Sequence, residues 1–425
     1  QFPGPRLFQT LLRVYDFIAR NRSRHFLTPA ESMLWVPGLT GEKLAGASGF
    51  TDAVTDDSRL VLRLIAEARR DGAMCLNYTR AGEIKRSNGD VSGLLIQAEE
   101  NDTPIEVFAP LVINATGAWA DRLQSSETSE DTMHIRPLRG SHLVLPWSSL
   151  PVSCSVSLFH PEDGRPVFAF PWLGTTVLGT TDIDHEGNLD QEPVISESET
   201  AYLLEIASRL FPGSPITRSD ILSTWAGVRP VVTDGTGKAP SKENREHALR
   251  VNRGLVSIAG GKLTTFRVIA REALVQGLGE DASKVLRPAS KPVFQGTDHP
   301  SRPATISHQC WQRLQGFYGP ELDQLLASGP LEPVTPNRAS NLLWAELCWA
   351  CRREDVQHLD DLLLRRTRLG MVLPNAGEAL LPQIRNHCQP LLGWADQRWE
   401  EEQARYLSIY HNAYSLPPQE ASDAS

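Results

Sequence analysis

With 425 residues, 40% of them apolar and 22% charged, the chain has the composition of an ordinary globular protein and the length for two or three domains. A net charge of −9 argues against a general affinity for nucleic acid, so any anion site has to be a local cluster of Arg and Lys. No apolar run approaches the ~20 residues needed to span a bilayer, no signal peptide is visible, and six cysteines without a framework suit a reducing compartment.

The chain opens at Gln1 within a helical pattern. Residues 7–20 place Phe8, Leu11, Leu12, Tyr15 and Ile18 on one face, with Arg13, Arg20, Arg22 and Arg24 on the polar side and end. This reads either as a packed surface helix or as a basic amphipathic helix on an anionic membrane. Asp52, Asp56 and Asp57 precede a helix predicted over 58–70. Strands are predicted over 74–84 and 91–97, joined through Asn88-Gly89-Asp90. Residues 107–114 read as a buried strand that ends in Ala115-Thr116-Gly117-Ala118-Trp119, small residues that would let a nucleotide approach the carboxyl end of the strand.

A polar loop follows at 124–131, and then a strand-rich stretch over 135–235 with strands at 143–145, 153–159, 166–170 and 175–179. One helix, over 196–210, interrupts it, as in an antiparallel sheet with a covering helix inserted into a first domain. A strand over 254–259 runs into Gly260-Gly261-Lys262-Leu263-Thr264-Thr265 and a helix. The two glycines let the backbone pass close to a bound group, and the start of the helix suits an anionic or electron-rich ligand. Residues 288–305 look like a linker. From Trp311 the pattern is helical, with Trp344, Trp349, Leu359, Leu362 and Leu363 as core, Cys348-x-x-Cys351 as ordinary core cysteines, and a disordered tail after Leu416.

Three cations occupy unusual settings. Arg229 ends an apolar strand in Trp225-Ala226-Gly227-Val228-Arg229-Pro230, Arg245 follows a loop later, and Lys262 follows the paired glycines. Together they would make a selective site for a small phosphorylated substrate, Arg supplying a planar fork and Lys a point charge; separately, each reads as a surface charge. His142, in Arg139-Gly140-Ser141-His142, is a candidate general base because an imidazole titrates near neutrality, or else a structural histidine. Gly179-Thr180-Thr181-Asp182 ends a strand with hydroxyls and a carboxylate, and a turn cap accounts for it equally well. No H-E-x-x-H, paired C-x-x-C, G-x-S-x-G or Walker A pattern occurs, so no metal site is expected.

The order of these segments resembles the FAD-dependent glycerol-3-phosphate dehydrogenases of the D-amino-acid-oxidase-like flavoprotein superfamily. The matching stretches are Val112 to Trp119, Arg139 to His142, Gly179 to Asp182, Gly227-Val228-Arg229-Pro230 and Gly260 to Thr265. In the last helical region, Leu359 to Gly370 is similar to the family's C-terminal cap domain. The fold class implied is α/β (α+β), an incomplete FAD-binding Rossmann-like domain with an inserted antiparallel-sheet substrate domain and a helical C-terminal cap. The expected division is 1–50 with the substrate and cap region, 51–124 with 254–287 for FAD, 132–253 for substrate and 306–416 for the cap.

The resemblance implies FAD as cofactor, flanked by Ala115, Thr116, Gly117 and Trp119, with Gly260, Gly261, Leu263 and Thr264 along its ribityl and flavin end. Arg229, Arg245, Lys262 and Thr264 would hold glycerol 3-phosphate, and His142, Arg229 and Lys262 would serve catalysis, giving dihydroxyacetone phosphate. It also implies electron delivery to membrane quinone from the cytoplasmic face of the inner membrane, and it leaves room for a homodimer. The alternatives are an oxidase that uses oxygen, and a non-catalytic relative that keeps a phosphate-binding or partner-binding surface. The family's G-x-G-x-x-G turn is absent from the sequence. The expectation is therefore that on the order of a hundred residues precede Gln1 in the intact protein, including the ~30-residue βαβ unit, and that the chain as written binds FAD poorly.

Overall fold

A computed structural model describes the chain except residues 1–4, 21–22, 43, 125–132, 214, 234–245, 295, 297–299, 336–340 and 419–425. Its centre is a six-stranded antiparallel sheet built around the long strand Ile135–Pro146. Along one edge runs Ser223–Val232, in continuous register from Ser223 opposite Val144 to Val232 opposite Ile135. The other edge is shared. Thr175–Gly179 pairs with the half from His142 to Pro146, Ile183–Asp184 pairs with Leu138 and Arg139, and Thr180–Asp182 crosses the gap between them. Strands Pro166–Trp172 and Val156–Phe159 complete the sheet.

Alternation sorts the side chains of the central strand. Leu143 and Leu145 face the helix Glu197–Leu210 and pack with its Leu203, Ile206 and Ala207. That helix starts on a reciprocal cap, Ser196 accepting from the Glu199 amide while Glu199 accepts from the Ser196 amide. Arg229 and His142 therefore lie within strands, not at the strand end and strand start that the sequence indicated.

A second, three-stranded sheet holds the parallel pair Val112–Asn114 and Leu255–Gly260, with His247–Asn252 antiparallel on its far side. Residues 247–252, assigned from sequence to the inserted domain, pair here instead. The single buried strand expected over 107–114 is two strands. Ile105–Phe108 belongs to a meander with Thr79–Ser87 and Asp90–Ala98, and Val112–Asn114 begins anew in the parallel sheet. Pro110 separates them, having no N–H to give to a ladder. Burial differs too, since Ile105 and Phe108 are exposed. The hairpin turn lies at Asn88-Gly89 as read, both residues at positive φ, but its first strand starts at Thr79, after a mostly exposed 74–77 segment and Tyr78 at positive φ.

The C-terminal region is helical. Its core gathers Trp344, Leu359, Leu362 and Leu363, as expected, around the fully buried Trp399 and Tyr406, while Trp349 joins a neighbouring cluster with Trp311. It sits against the central sheet through Trp172 and Trp225, and Ser223 donates to the Met371 carbonyl at 2.6 Å. Pro417 is tied down by Arg218 at 2.8 Å, and residues 419–425 lie outside the described residues. Helix Asp57–Arg70 joins this region through the buried Arg59–Glu354 pair, at 2.9 and 3.0 Å.

The N-terminal helix Pro5–Ala19 departs from the packed reading. Leu12 and Asp16 are buried, but Leu7, Leu11, Val14 and Ile18 form a stripe exposed at 52–75%. Its neighbour is the two-stranded ribbon His25–Leu27/Ala47–Gly49, touched through Gln9 and Ser48. That ribbon is too narrow to cover the whole apolar arc.

Candidate functional site

The site grows from one face of the central sheet. His142 lies directly opposite Trp225, and their rings stack at 3.8 Å between centroids and 9° between planes. Gly140 faces Gly227, and Arg229 faces Leu138, so Trp225, Gly227 and Arg229 share a face with Leu138, Gly140 and His142. Arg229 reaches across the central strand. It donates to Asp182 Oδ1 at 3.0 Å and to Thr180 Oγ1 at 3.2 Å, both on the crossing segment at the opposite edge. Gly140 permits this, because a Cβ there would overlap the Arg229 guanidinium and the Thr180 hydroxyl. A Cβ on Gly179 would likewise strike the His142 ring, whereas one on Gly227 would meet no atom within 4 Å. The face is thus floored by Gly227, walled at one end by the C-terminal helices and open beside Arg229.

The crossing segment is fixed from beneath. Glu199, 3% exposed, accepts from Ser141 Oγ (2.8 Å), Thr181 Oγ1 (2.6 Å) and Arg139 (2.7 Å). Burial acts to raise its pKa, but these donors together outweigh it and the carboxyl is held below its usual range. His142 moves the opposite way from the near-neutral behaviour expected of it. Burial, helped by the charge of Arg229, pushes its pKa down to about 3. The imidazole is therefore neutral at physiological pH. Its Nδ1 is enclosed without a partner among the described residues, which leaves Nε2 as the nitrogen for a ligand, and the same holds of Trp225 Nε1, also enclosed.

The two motif turns meet at the carboxyl ends of the parallel strands, where Asn114 pairs with Ser257. Asn114, buried, organises the first turn. Its Oδ1 accepts from Thr116 Oγ1 at 2.7 Å, and its Nδ2 donates to the Ala120 carbonyl at 2.8 Å. Gly117 takes φ +63 with open space where a Cβ would stand. Gly260 and Gly261 take φ +74 and +90, and Lys262, Leu263 and Thr264 follow them, exposed, at the start of the helical segment. Lys262 makes no side-chain hydrogen bond or ion pair to a described residue. Val232, three residues past Arg229, lies against Gly260, so the sheet face and this turn adjoin.

Ala115 is exposed at this junction, while Trp119 turns aside to bond Asp190 at 3.1 Å. Arg245 lies outside the described residues. Sequence reading missed Asp182 as the Arg229 partner, Glu199 as the anchor of the crossing segment and Asn114 as organiser of its turn. The Thr-Thr-Asp run was the one available signal, and a turn cap explained it equally well.

Residues 6–267 match the family described as FAD dependent oxidoreductase, and residues 260–399 match the C-terminal domain of alpha-glycerophosphate oxidase. The chain belongs to the FAD-dependent oxidoreductase family. Similar relatives include glycerol-3-phosphate dehydrogenase 2 of Mycobacterium tuberculosis, 31% identical across 93% of this chain and 70% of that one. The aerobic glycerol-3-phosphate dehydrogenase of Bacillus subtilis is 35% identical across 61% of this chain and 47% of its own length. Among solved structures, the glycerol-3-phosphate dehydrogenase of Bacillus halodurans complexed with FAD superposes with a TM-score of 0.70, at 25% identity, across 94% of this chain and 81% of that one. The sheet that carries Arg229 thus falls within the first match and most of the helical cap within the second.

Proposed function

We propose that this protein oxidises sn-glycerol 3-phosphate at C2 to dihydroxyacetone phosphate, with FAD as its cofactor, and delivers the electrons to membrane quinone. The observation that carries the reading is the open sheet face where Arg229 is held across Gly140 beside a neutral His142, adjoining the turn that presents Lys262. The relatives named for this activity and the match to the alpha-glycerophosphate oxidase C-terminal domain support it.

The residues present fit the ribityl and ring end of FAD. Gly117 and Gly227 leave open space where a Cβ would stand, and the enclosed His142 Nδ1 and Trp225 Nε1 are polar atoms without partners among the described residues. Ala115, Thr116 and Gly117 would hold it from one turn, and Gly260, Gly261, Leu263 and Thr264 from the other. When bound, FAD supplies a two-electron acceptor for hydride.

The protein's own groups do the rest. Asp182 and Thr180 fix the Arg229 fork, so it binds a phosphate oxygen pair without first being ordered. Lys262, without a side-chain partner among the described residues, adds a point charge, and Arg245 is the third cation of this reading. His142 Nε2 accepts the proton of the C2 hydroxyl. Its low basicity derives first from burial and second from Arg229, and a phosphate dianion seated beside Arg229 offsets the second of these. For the electron exit, the exposed stripe of the N-terminal helix supports peripheral attachment at the inner membrane, and no helix among the described residues is long and apolar enough to cross one.

The test is anaerobic addition of glycerol 3-phosphate to the FAD-loaded protein, where the visible flavin absorbance should bleach. Lys262→Ala should raise KM by about tenfold or more with an unchanged melting temperature. Absence of bleaching in a protein that has taken up FAD would overturn the reading.

A further inference from the structure

A second charged cleft lies away from the sheet face. It has a volume of about 500 Å³ and runs between helix Asp57–Arg70 and the C-terminal helices. Arg59, Arg63, Arg69 and Arg70 line it from the first side, and Arg352, Arg353 and Arg366 from the other. Four of these have carboxylate partners. Arg59 is bound twice by Glu354, Arg69 pairs with Asp355, and Arg63 and Arg70 share Glu67. The remaining three have none among the described residues. Arg352 and Arg366 are spent on backbone carbonyls, of Ser328 and of Glu354 and Asp355. Arg353 rests over the Trp349 ring and donates no hydrogen bond to a described residue. A further carboxyl, Glu321, is half-buried here without a side-chain hydrogen bond to a described residue, its pKa raised chiefly by burial.

Helix termini explain part of this excess. Arg70 and Arg353 each end a helix, and a helix C-terminus carries roughly −0.5 charge. Seven arginines stand against four carboxylates, Glu67 included. The surplus of three, less roughly one unit from the two helix ends, leaves about two positive charges facing the cleft. A phosphate monoester carries ≈ −1.5 to −2 near neutral pH. Apolar wall is available for an organic body, from Leu62, Ile65 and the exposed Leu76.

We propose that this cleft binds a small phosphate monoester, with Arg353 as its principal free donor, and that the ligand bridges helix Asp57–Arg70 to the C-terminal helices. The site is separate from the sheet face, shares no residue with it and does not rest on the flavin reading. Because the occupied cleft exists only when the two regions are docked, binding stabilises that docking by mass action.

Calorimetric titration with inorganic phosphate at constant ionic strength tests the proposal. The unaltered protein should show saturable binding. Arg353→Gln, at an exposed position, should weaken the cleft event about tenfold, Glu321→Gln should tighten it by removing a like charge, and Lys262→Ala should leave it unchanged while weakening any separate event at the sheet face. Glycerol 3-phosphate and adenosine monophosphate, tried in turn, would show by tighter binding which organic body the cleft accepts. Lack of saturable binding, or an affinity moved by neither cleft variant, would overturn the proposal.

Discussion

At the scale of single residues, the decisive group is His142. Its pKa is pushed to about 3 in the folded protein against an ordinary 6.5, so only the unfolded chain takes up a proton as pH falls between these values. Its contribution to stability is complete above pH 6.5 and is lost progressively on acidification towards 3. By about pH 5 the loss from this residue should be roughly 2 kcal/mol. His185, lowered by burial and by Arg139, acts in the same direction. Urea midpoints measured at neutral and acidic pH should fall more steeply for the natural protein than for His142→Gln. Equal slopes would mean that His142 titrates normally.

At the scale of elements, the site depends on how strands lie beside one another. Arg229 and Asp182 are 47 residues apart and meet because register brings their strands to opposite edges of Ile135–Pro146. The span between them is bridged over a residue without a side chain. Gly140→Ala should therefore displace the Arg229 fork, lowering kcat/KM for glycerol 3-phosphate by about tenfold or more, mostly through KM. The sheet should persist, since Ala is tolerated in strands. A steady-state assay beside a thermal melt decides the matter, and an unchanged KM would remove Arg229 from substrate binding. The two motif turns are a different kind of element. The Asn114 network and the positive-φ glycines 117, 260 and 261 are built almost wholly from neighbours in the chain, which is why the sequence marked both turns correctly.

At the scale of the whole molecule, the uncovered stripe of the N-terminal helix is the feature with consequences for location. Leu11→Asp with Ile18→Asp places charge on two exposed positions. It should reduce cosedimentation with vesicles rich in an anionic phospholipid by about tenfold or more and leave the melting temperature alone. Vesicle binding that persists in the double variant would assign the stripe some other role.

The same contrast runs through the molecule. The starts of the helices near 58 and 196, the Asn88-Gly89 turn and both glycine turns were legible because they are settled by a few residues' own geometry and hydrogen bonds. The family resemblance drew on the two glycine turns among these. Tertiary structure alone decided that Arg229 would pair across Gly140 with Asp182, that His142 would be neutral and that residues 107–114 would divide between two sheets. It also left Leu7, Leu11, Val14 and Ile18 bare and gathered seven arginines from distant segments into one cleft. Strand register, burial and the sum of charges at a point depend on which remote segments come together, and hydrophobic periodicity does not specify the partner.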